Sequence, residues 1–439
     1  MIWLLYNVLF SLVFPFLLPR YVIRMIRRGG YRAQFLERVG QYSDEVHRWL
    51  AENPRPVWIH AVSVGEVFIG LQLIEGLRRH RSGERFLLSV TTSTAHSIAA
   101  RKVSSDTQLV YFAMDYPWVV RRAFSVMKPR CLILVECELW PNWIRRMSAE
   151  HLPVFLVNAR LSDRSFHRYR FLKAFSRRLL PLFRGIYAQT KVDRDRFLQL
   201  GAQEGQVEAL GSAKFDLDTR DSSREMEAAS LVRQIGWGSD RLVLAGGSTW
   251  PGEEELLLEL TVSLHRTRPG LVLLLAPRHV ERCDEVEQLV RRFGLTWVRR
   301  SSLAANGPAR SDATVLLLDT TGELRHFYAV SDVVVIGKSL TEHGGQNPLE
   351  PLQCGKAVVC GPNMENFHVM VEDLCTAGVL IQIRSAAELP AMVESLLGDE
   401  ARRREIGRCA EIFIRDRAGA LSKTIEKILP HLSEMDRPL

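Results

Sequence analysis

Acidic side chains follow an apolar run in the first part of the chain and could carry out proton transfer. The segment HAVSVGE ends at Glu66 and contains Ser63 and Gly65, a glycine that permits a tight turn. Ligands bind at the carboxyl ends of strands in a parallel sheet, where a carboxylate can accept a proton from a hydroxyl. A glutamate in the first turn of a helix can equally be a cap for free backbone N–H groups. The spacing alone leaves both interpretations open.

A second acidic pair, Glu136 and Glu138, lies in ECELWPN, directly after the apolar run LILV. Two neighbouring carboxylates are costly to bury unless they are hydrogen-bonded or face a cation. Glu138 is therefore interpreted either as a cap for the helix that Pro141 begins or as a group that orients a substrate. Lys214, in GSAKFD, is either a ligand for phosphate or carboxylate or an ordinary linker charge.

Two segments of the second half have features of phosphate sites. Gly247 and Ser248 lie in AGGSTWPGEE, where a strand, a glycine turn and a helix start could offer backbone N–H groups to a phosphate. The spacing matches neither a dinucleotide fingerprint nor a P-loop. Arg278 and His279 follow the strand-like run LVLLLAP, and an arginine there suits a bidentate grip on phosphate. An ordinary surface arginine is the alternative.

The segment SLTEHGGQNPLEP holds the densest group of specialised residues. Gly344 and Gly345 would let the backbone approach a ligand closely. Asn347 is predicted to be a helix N-cap and Pro348 the first helical residue, so that the helix start faces the ligand. Glu350 would cap that helix or accept hydrogen bonds from ribose hydroxyls. The segment therefore predicts a nucleotide-phosphate site.

Short apolar runs alternate with amphipathic stretches from Val57 onward, which predicts parallel α/β sheets. The alternation pauses at residues 211–225, a polar stretch interpreted as a linker. Two doubly wound, Rossmann-like halves joined in this way describe the GT-B architecture, with a ligand cleft between domains. We predict an N-terminal domain over 29–215 and a C-terminal domain over 216–439, whose last helix is a candidate to return to the first domain.

The first nineteen residues are almost wholly apolar and are followed by Arg20, Arg24, Arg27 and Arg28. A cleaved signal peptide carries its positive charge before the apolar stretch, so residues 1–28 are interpreted as an uncleaved membrane anchor. The arginines, and the domains after them, then belong on the cytoplasmic side. The anchor either spans the bilayer or lies in its interface, and a buried core helix is the alternative.

The amino-acid composition is that of a globular protein and shows no signature of a metal site or of nucleic-acid binding. The chain has 439 residues, 46% hydrophobic and 25% charged, which is typical of a globular protein with a full core. A net charge of +8 fits an anionic membrane surface or solubility, and no nucleic-acid-binding signature accompanies it. Seven cysteines without a Cys-x-x-Cys pair argue against structural zinc. We therefore expect no metal, cofactor or nucleic acid partner.

Five motifs, in order, resemble the Kdo transferase family of lipopolysaccharide biosynthesis (Kdo is 3-deoxy-D-manno-octulosonic acid): HAVSVGEV, ELWPN, GSAKFD, PRHVER and GGQNPLEP. The resemblance extends from the N-terminal apolar segment to at least residue 370. It implies a GT-B enzyme of the inner membrane that transfers Kdo from CMP-Kdo to a lipid IVA-type lipid A precursor, with inversion. It also implies that Glu66 is the catalytic base, with Ser63 and Gly65 in its loop. The implied donor-nucleotide site comprises Arg278 and the GGQNPLEP segment, especially Asn347 and Glu350, and Lys214 matches the basic residue of the family's GxxKFD motif.

Two positions depart from the family pattern. Ser212 stands where an asparagine is usual, and Lys338 stands where a glycine is expected. These changes leave the reaction class intact and bear on donor contacts and on the number of sugars added; Lys338 is itself a candidate ligand for the departing phosphate. The alternatives are a transferase that uses a UDP-sugar on a lipid-linked acceptor, and a non-catalytic membrane-tethered binding protein.

Overall fold

The computed structural model describes residues 2–13, 34–216, 221–238, 240–303 and 313–435. The chain divides into two compact units: Met1–Leu217 with Arg417–Leu439, and Asp218–Asp416. Each unit is a seven-stranded parallel sheet with helices, so the predicted pair of α/β domains is confirmed.

The first unit has the strand order β3-β2-β1-β4-β5-β6-β7. Its central strands are short and buried throughout, as expected for a parallel sheet covered on both faces. The strands are β1 Val57–Ala61, β2 Phe86–Val90, β3 Thr107–Tyr111, β4 Cys131–Val135, β5 Val154–Ala159, β6 Gly185–Ala188 and β7 Val207–Ala209. The helices are α1 (residues 2–13), α2 Asp44–Glu52, α3 Val64–His80, α4 Ser93–Ala100, α5 Pro117–Met127, α6 Pro141–Ala149, α7 Asp163–Phe171, α8 Lys173–Leu179 and α9 Lys191–Leu200.

The second unit has the strand order β10-β11-β9-β8-β12-β13-β14. Its strands are β8 Leu242–Thr249, β9 Leu271–Pro277, β10 Trp297–Arg299, β11 Val315–Leu317, β12 Val333–Ile336, β13 Ala357–Cys360 and β14 Ile381–Gln382. Its helices are α10 Ser222–Gln234, α11 Glu253–His265, α12 Cys283–Arg292, α13 Leu324–Phe327, α14 Leu349–Gln353, α15 His368–Thr376, α16 Leu389–Gly398 and α17 Glu400–Arg417.

The last helix, α18 (Ala420–Glu434), belongs to the first unit. Ile425, Ile428 and Leu432 of this helix are buried in the same apolar cluster as α3 and the central strands. Asp216, at the end of GSAKFD, accepts hydrogen bonds from the backbone N–H groups of Gly419 and Leu421, and so fixes the start of α18.

Two details differ from the sequence-based expectation. The edge strands β7 and β10 were not anticipated, because three residues are too few to show an apolar run. The linker interpretation of residues 211–225 is wrong at its end, because α10 begins at Ser222. Asp221 caps that helix by accepting hydrogen bonds from the backbone N–H groups of Ser223 and Arg224, at 3.1 and 3.2 Å.

Helix α1 packs against the first unit through one face. The Trp3 ring lies 5.4 Å from that of Phe175, and the Tyr6 hydroxyl donates to Asp115 at 2.9 Å. The opposite face, formed by Leu4, Leu5, Val8, Leu9, Leu12 and Val13, is exposed. Over these residues, the alternative of a buried core helix is therefore wrong.

The predicted anchor over 1–28 falls largely on residues 14–33, including its four arginines, which lie outside the described residues. Within the part of the chain that the structure describes, no helix has the length and apolar character needed to cross a membrane.

Candidate functional site

Glu66 lies just beyond the carboxyl end of β1, in the first turn of α3, where it is 7% exposed. Its two carboxylate oxygens accept hydrogen bonds from the backbone N–H groups of Val62 (2.8 Å) and Ser63 (3.3 Å). The Ser63 hydroxyl in turn accepts from the Glu66 N–H at 3.3 Å, which completes a capping box. Burial is the main cause that raises the pKa of Glu66. Glu66 is thus a helix cap, and its carboxylate is also a stronger base than an exposed one.

The other residues of this segment belong to α3 and to the core. Gly65 lies inside α3, so the expectation that it makes a tight turn is wrong. A Cβ at Gly65 would meet no other atom within 4 Å. His60 on β1 is fully buried and stacks on Phe112, with ring centroids 3.8 Å apart. Burial lowers the pKa of His60 to about 3, so its imidazole is neutral and belongs to the core.

Lys214 and Glu136 form an ion pair that joins GSAKFD to the end of β4, with 3.0 Å between Nζ and Oε1. Asn158, at the end of β5, donates to Glu136 at 3.4 Å and accepts from the Ala213 N–H at 3.0 Å. Lys214 therefore lies beside the acidic groups of the first unit, and its ammonium already has an anionic partner.

Glu138 is not the cap of α6, so that interpretation is wrong. Asp115 caps the helix: its two oxygens accept from the backbone N–H groups of Asn142 and Trp143, each at 3.0 Å. Burial first, and then the charges of Glu66 and Glu136, raise the pKa of Glu138 to about 7. The first unit thus brings Glu66, Glu136 and Glu138 into one acidic group. Glu138 is half-buried in this group and does not cap a helix.

In the second unit, Glu253 holds two loops together. This fully buried carboxylate accepts four backbone hydrogen bonds, of 2.8 to 3.0 Å. The donors are the N–H groups of Trp250, Lys338, Ser339 and Leu340. The turn after β8 and the loop after β12 are therefore fixed by one side chain.

This arrangement changes the expectation for AGGSTWPGEE. The Trp250 N–H is bonded to Glu253, so it is not available to a phosphate. Gly247 is required for a different reason: a Cβ there would lie 2.2 Å from the hydroxyl oxygen of the buried Tyr328. Ser248, beside it, adopts a φ of 56°, in the left-handed region.

Cationic and aromatic side chains lie beside this junction. The Lys338 Nζ is 4.4 Å from the centre of the Trp250 ring, and the His279 ring contacts the same indole at 5.5 Å. Arg278 is exposed at the end of β9, where its N–H donates to the Thr249 carbonyl at 3.0 Å. Across the described ranges, Lys338 forms no ion pair with a carboxylate, unlike Lys214. Arg278 and Lys338 are thus the two predicted cations with charge left for a ligand.

The GGQNPLEP loop is tied to the same junction through Gly345, whose N–H donates to the Lys338 carbonyl at 2.9 Å. A Cβ at Gly345 would lie 2.4 Å from the Met364 sulfur, so only glycine fits. Gly344 precedes it with a φ of 116°. The Asn347 side chain accepts from the Leu349 N–H at 3.1 Å.

Helix α14 begins at Leu349, one residue later than predicted, and it has only five residues. Its dipole is correspondingly small, so a phosphate site depends on side-chain cations rather than on this helix end. Glu350 lies in its first turn. Burial raises the pKa of Glu350, whereas the charges of Arg325 and Arg278 act in the opposite direction.

The roles of Glu253, Trp250 and Asn158 were not predicted from the sequence. Glu253 follows Gly252 at the start of a helix, much as Glu66 follows Gly65, and that pattern is the signal that could have found it. Asn158 could not have been found, since its contacts depend on a φ of 51° at the end of β5.

Comparisons with known proteins agree with these motifs. The family described as 3-deoxy-D-manno-octulosonic-acid transferase (kdotransferase) matches residues 33–217, and glycosyl transferases group 1 matches residues 301–412. A 3-deoxy-D-manno-octulosonic acid transferase of Haemophilus influenzae is 30% identical over 97% of this chain and 98% of that protein. One from Bordetella pertussis is 32% identical over 85% and 86%. A UDP-GlcNAc 2-epimerase from Neisseria meningitidis shares the fold, with a TM-score of 0.58 at 12% identity, covering 85% of this chain and 100% of that one.

Replacing Glu253 by glutamine is expected to destabilise the second unit, because an amide has one acceptor oxygen for four N–H donors. We expect a loss of about 2–4 kcal/mol in the free energy of unfolding, measured in urea. Amide exchange at Trp250 and at residues 338–340 should accelerate. The control, Glu255→Gln, changes an exposed residue of the same helix and should cost less than about 0.5 kcal/mol. Unchanged amide exchange in E253Q would contradict the organising role.

Glu138→Gln is expected to stabilise the protein in a pH-dependent way. The pKa of Glu138 is raised from 4.5 to about 7, so its charged form is disfavoured in the folded state. This penalty is absent below pH 4.5 and complete above pH 7. The melting temperature of E138Q minus that of the unsubstituted protein should therefore increase from pH 4.5 to pH 8. A difference that stays constant over this range would refute the assignment.

Proposed function

Because this chain belongs to the 3-deoxy-D-manno-octulosonic-acid transferase family, we propose that it transfers Kdo from CMP-Kdo to a lipid IVA-type precursor in lipopolysaccharide synthesis. The chain is a glycosyltransferase with two parallel α/β units. The observation that carries the proposal is the buried Glu66 carboxylate, which is held by its own capping box at the end of β1 within the first motif of the family.

Glu66 is the general base of the proposed reaction. It removes the proton from an acceptor hydroxyl as that oxygen attacks the anomeric carbon, and the bond to the CMP phosphate breaks with inversion. The transition state is oxocarbenium-like, as in related glycosyl chemistry. The two N–H groups that hold Glu66 fix its direction, while burial raises its pKa toward the working pH, where a base is most effective. Glu138, in the same acidic group, orients the acceptor.

Cations of the second unit stabilise the departing phosphate. Arg278 offers an exposed guanidinium at the end of β9, and Lys338 offers an ammonium over the Trp250 ring. Asn347 and Glu350 accept hydrogen bonds from the ribose. Lys214 positions Glu136 rather than the phosphate, because the two already form an ion pair. CMP is a good leaving group once these cations neutralise its charge, so the proposed reaction requires no metal or cofactor.

Helix α1 holds the enzyme at the inner membrane in this proposal. Its inner face is fixed by aromatic contacts and by the Tyr6–Asp115 hydrogen bond, while its outer face presents six exposed aliphatic side chains. A helix of this kind binds in the interface between head groups and acyl chains. The basic character of the sequence that follows favours an anionic leaflet, with both units on the cytoplasmic side.

Transfer of radiolabelled Kdo from CMP-Kdo to lipid IVA tests the reaction and the base together. Glu66→Gln should lower kcat by about 10²–10⁴-fold, because the amide cannot accept the proton, while CMP affinity is kept. Glu75→Gln, on the exposed side of the same helix, is the control and should keep full activity.

An active E66Q would exclude Glu66 as the base. The absence of product from the folded unsubstituted enzyme would exclude the Kdo donor and would favour a UDP-sugar or a non-catalytic binding role. The size of the product counts the sugars added.

Lys338→Gly is expected to increase the stability of the second unit and to weaken donor binding. Lys338 has a φ of 56°, so glycine should stabilise the second unit by about 1 kcal/mol. Loss of the ammonium should nevertheless weaken CMP-Kdo binding by about tenfold. Calorimetry with CMP and with CMP-Kdo identifies the ligand group that Lys338 contacts. Weaker binding of both ligands indicates the phosphate. Weaker binding of CMP-Kdo alone indicates the sugar carboxylate. Unchanged affinity for both would remove Lys338 from the donor site.

A further inference from the structure

A groove lies at the amino-terminal edge of the first sheet, between the ends of α2 and α5. It has a volume of about 420 Å³ and is open to solvent on one side. Its floor is apolar, since Leu50 and Met127 are buried there and Val126 is half-buried. Cavities of this size with an apolar lining are typical of small-molecule sites. The groove therefore has the dimensions and the floor of a binding site.

The rim of this groove is basic. It is formed by His47 on α2, Arg55 just after α2 and Lys128 just after α5, and all three side chains are exposed. Among the described residues, none of the three forms an ion pair, and no aspartate or glutamate lines the groove. The charges of Arg55 and Lys128 are therefore left for a ligand.

The two cations share an unusual backbone conformation. Arg55 has a φ of 56° and Lys128 a φ of 39°, both in the left-handed region that favours glycine. Each stands directly before a proline, Pro56 or Pro129, a position at which extended backbone is preferred. Lys128 also follows the last turn of α5, where glycine is the usual residue. Glycine would relieve the backbone at both positions, yet each carries a long cationic side chain.

The fold places these two cations on neighbouring strands. Arg55 lies two residues before β1 and Lys128 three residues before β4, and β1 pairs with β4 in the sheet. The Arg130 N–H donates to the Pro56 carbonyl at 3.1 Å, which ties the two strand entries together. A cation at a helix end interacts with the helix dipole, but this surface interaction is weaker than the cost of a left-handed backbone. The dipole alone therefore does not account for the pair.

We propose that this groove binds a small organic anion with an apolar body, such as an aryl phosphate or an aryl carboxylate. The apolar part packs on Leu50 and Met127, and the anionic part contacts Arg55 and Lys128. The strained turns fix the positions of the two cations before the ligand arrives, which reduces the entropy lost on binding. A second copy of this chain would bring like charges together, so it is not the occupant.

The groove is separate from the proposed transfer site and from α1. Glu66 follows the carboxyl end of β1, whereas Arg55 precedes the other end, and five residues of strand span about 17 Å. Helix α1 bonds to Asp115, just before α5, whereas the groove lies at the far end of that helix. A ligand in the groove is therefore additional to the donor and the acceptor.

Calorimetry on the full-length chain with naphthyl phosphate tests the site, with and without an excess of CMP. The probe should bind at a single site per chain, and CMP should not compete with it. Naphthol lacks the charge and inorganic phosphate lacks the apolar body, so each should bind at least about tenfold more weakly.

The double variant Arg55→Gly/Lys128→Gly should bind naphthyl phosphate at least about tenfold more weakly, because both cations are lost. Its melting temperature should nevertheless rise, since glycine relieves both left-handed backbones. Lys128→Gln removes one charge and keeps the strained backbone, so it should weaken binding without raising the melting temperature. The control, Lys102→Gln, changes an exposed lysine beyond α4 that does not line the groove, and it should alter binding by less than about twofold.

Full affinity in the double variant or in Lys128→Gln would overturn the proposal. Competition by CMP would also overturn it, by placing the probe at the donor site. Equal binding of naphthol would leave the cations without a role, and no binding of naphthyl phosphate to the unsubstituted chain would refute the site altogether. Because the assay uses neither Kdo donor nor lipid acceptor, none of these results bears on Kdo transfer.

Discussion

The arrangement of two loops in the second unit depends on one buried carboxylate. Glu253 gathers the N–H groups of two loops that are separated by more than eighty residues in the chain. Burial of a carboxylate is costly unless its oxygens are fully hydrogen-bonded, and here each oxygen accepts two bonds. With these loops fixed, Trp250 can lie under the Lys338 ammonium, and the GGQNPLEP loop can bond back to the Lys338 carbonyl.

The first unit also contains carboxylates that accept backbone hydrogen bonds, but Glu66 accepts fewer of them than Glu253 does. Glu66 and Asp115 each accept backbone hydrogen bonds at the start of a helix, whereas Glu253 joins two loops. Among the described residues, Glu66 accepts hydrogen bonds from two backbone N–H groups and keeps capacity for a proton, whereas Glu253 accepts four. Glu253 is therefore a structural anion, and Glu66 retains the acceptor capacity that the proposed base requires.

The sequence predicted the fold class well because buried parallel strands appear as apolar runs. It also located Glu66 at a helix start, where the capping interpretation is confirmed, while its role as a base stays a prediction. It failed where an assignment depended on a distant partner: Asp115, rather than Glu138, caps α6, and the Trp250 N–H is bonded to Glu253. A single sequence shows which residues could accept a hydrogen bond, but it does not show which of several carboxylates is nearer to a given helix end.

The return of α18 to the first unit has a consequence for biosynthesis. The ribosome completes all seven strands of the first sheet by Ala209, yet the residues that cover α3 and the central strands arrive only with Ile425, Ile428 and Leu432. A nascent chain must therefore keep this apolar surface unshielded while the whole second unit is synthesised. During that interval, the first unit is a natural substrate for chaperones, and it becomes fully closed only when Asp216 receives the N–H groups at the start of α18.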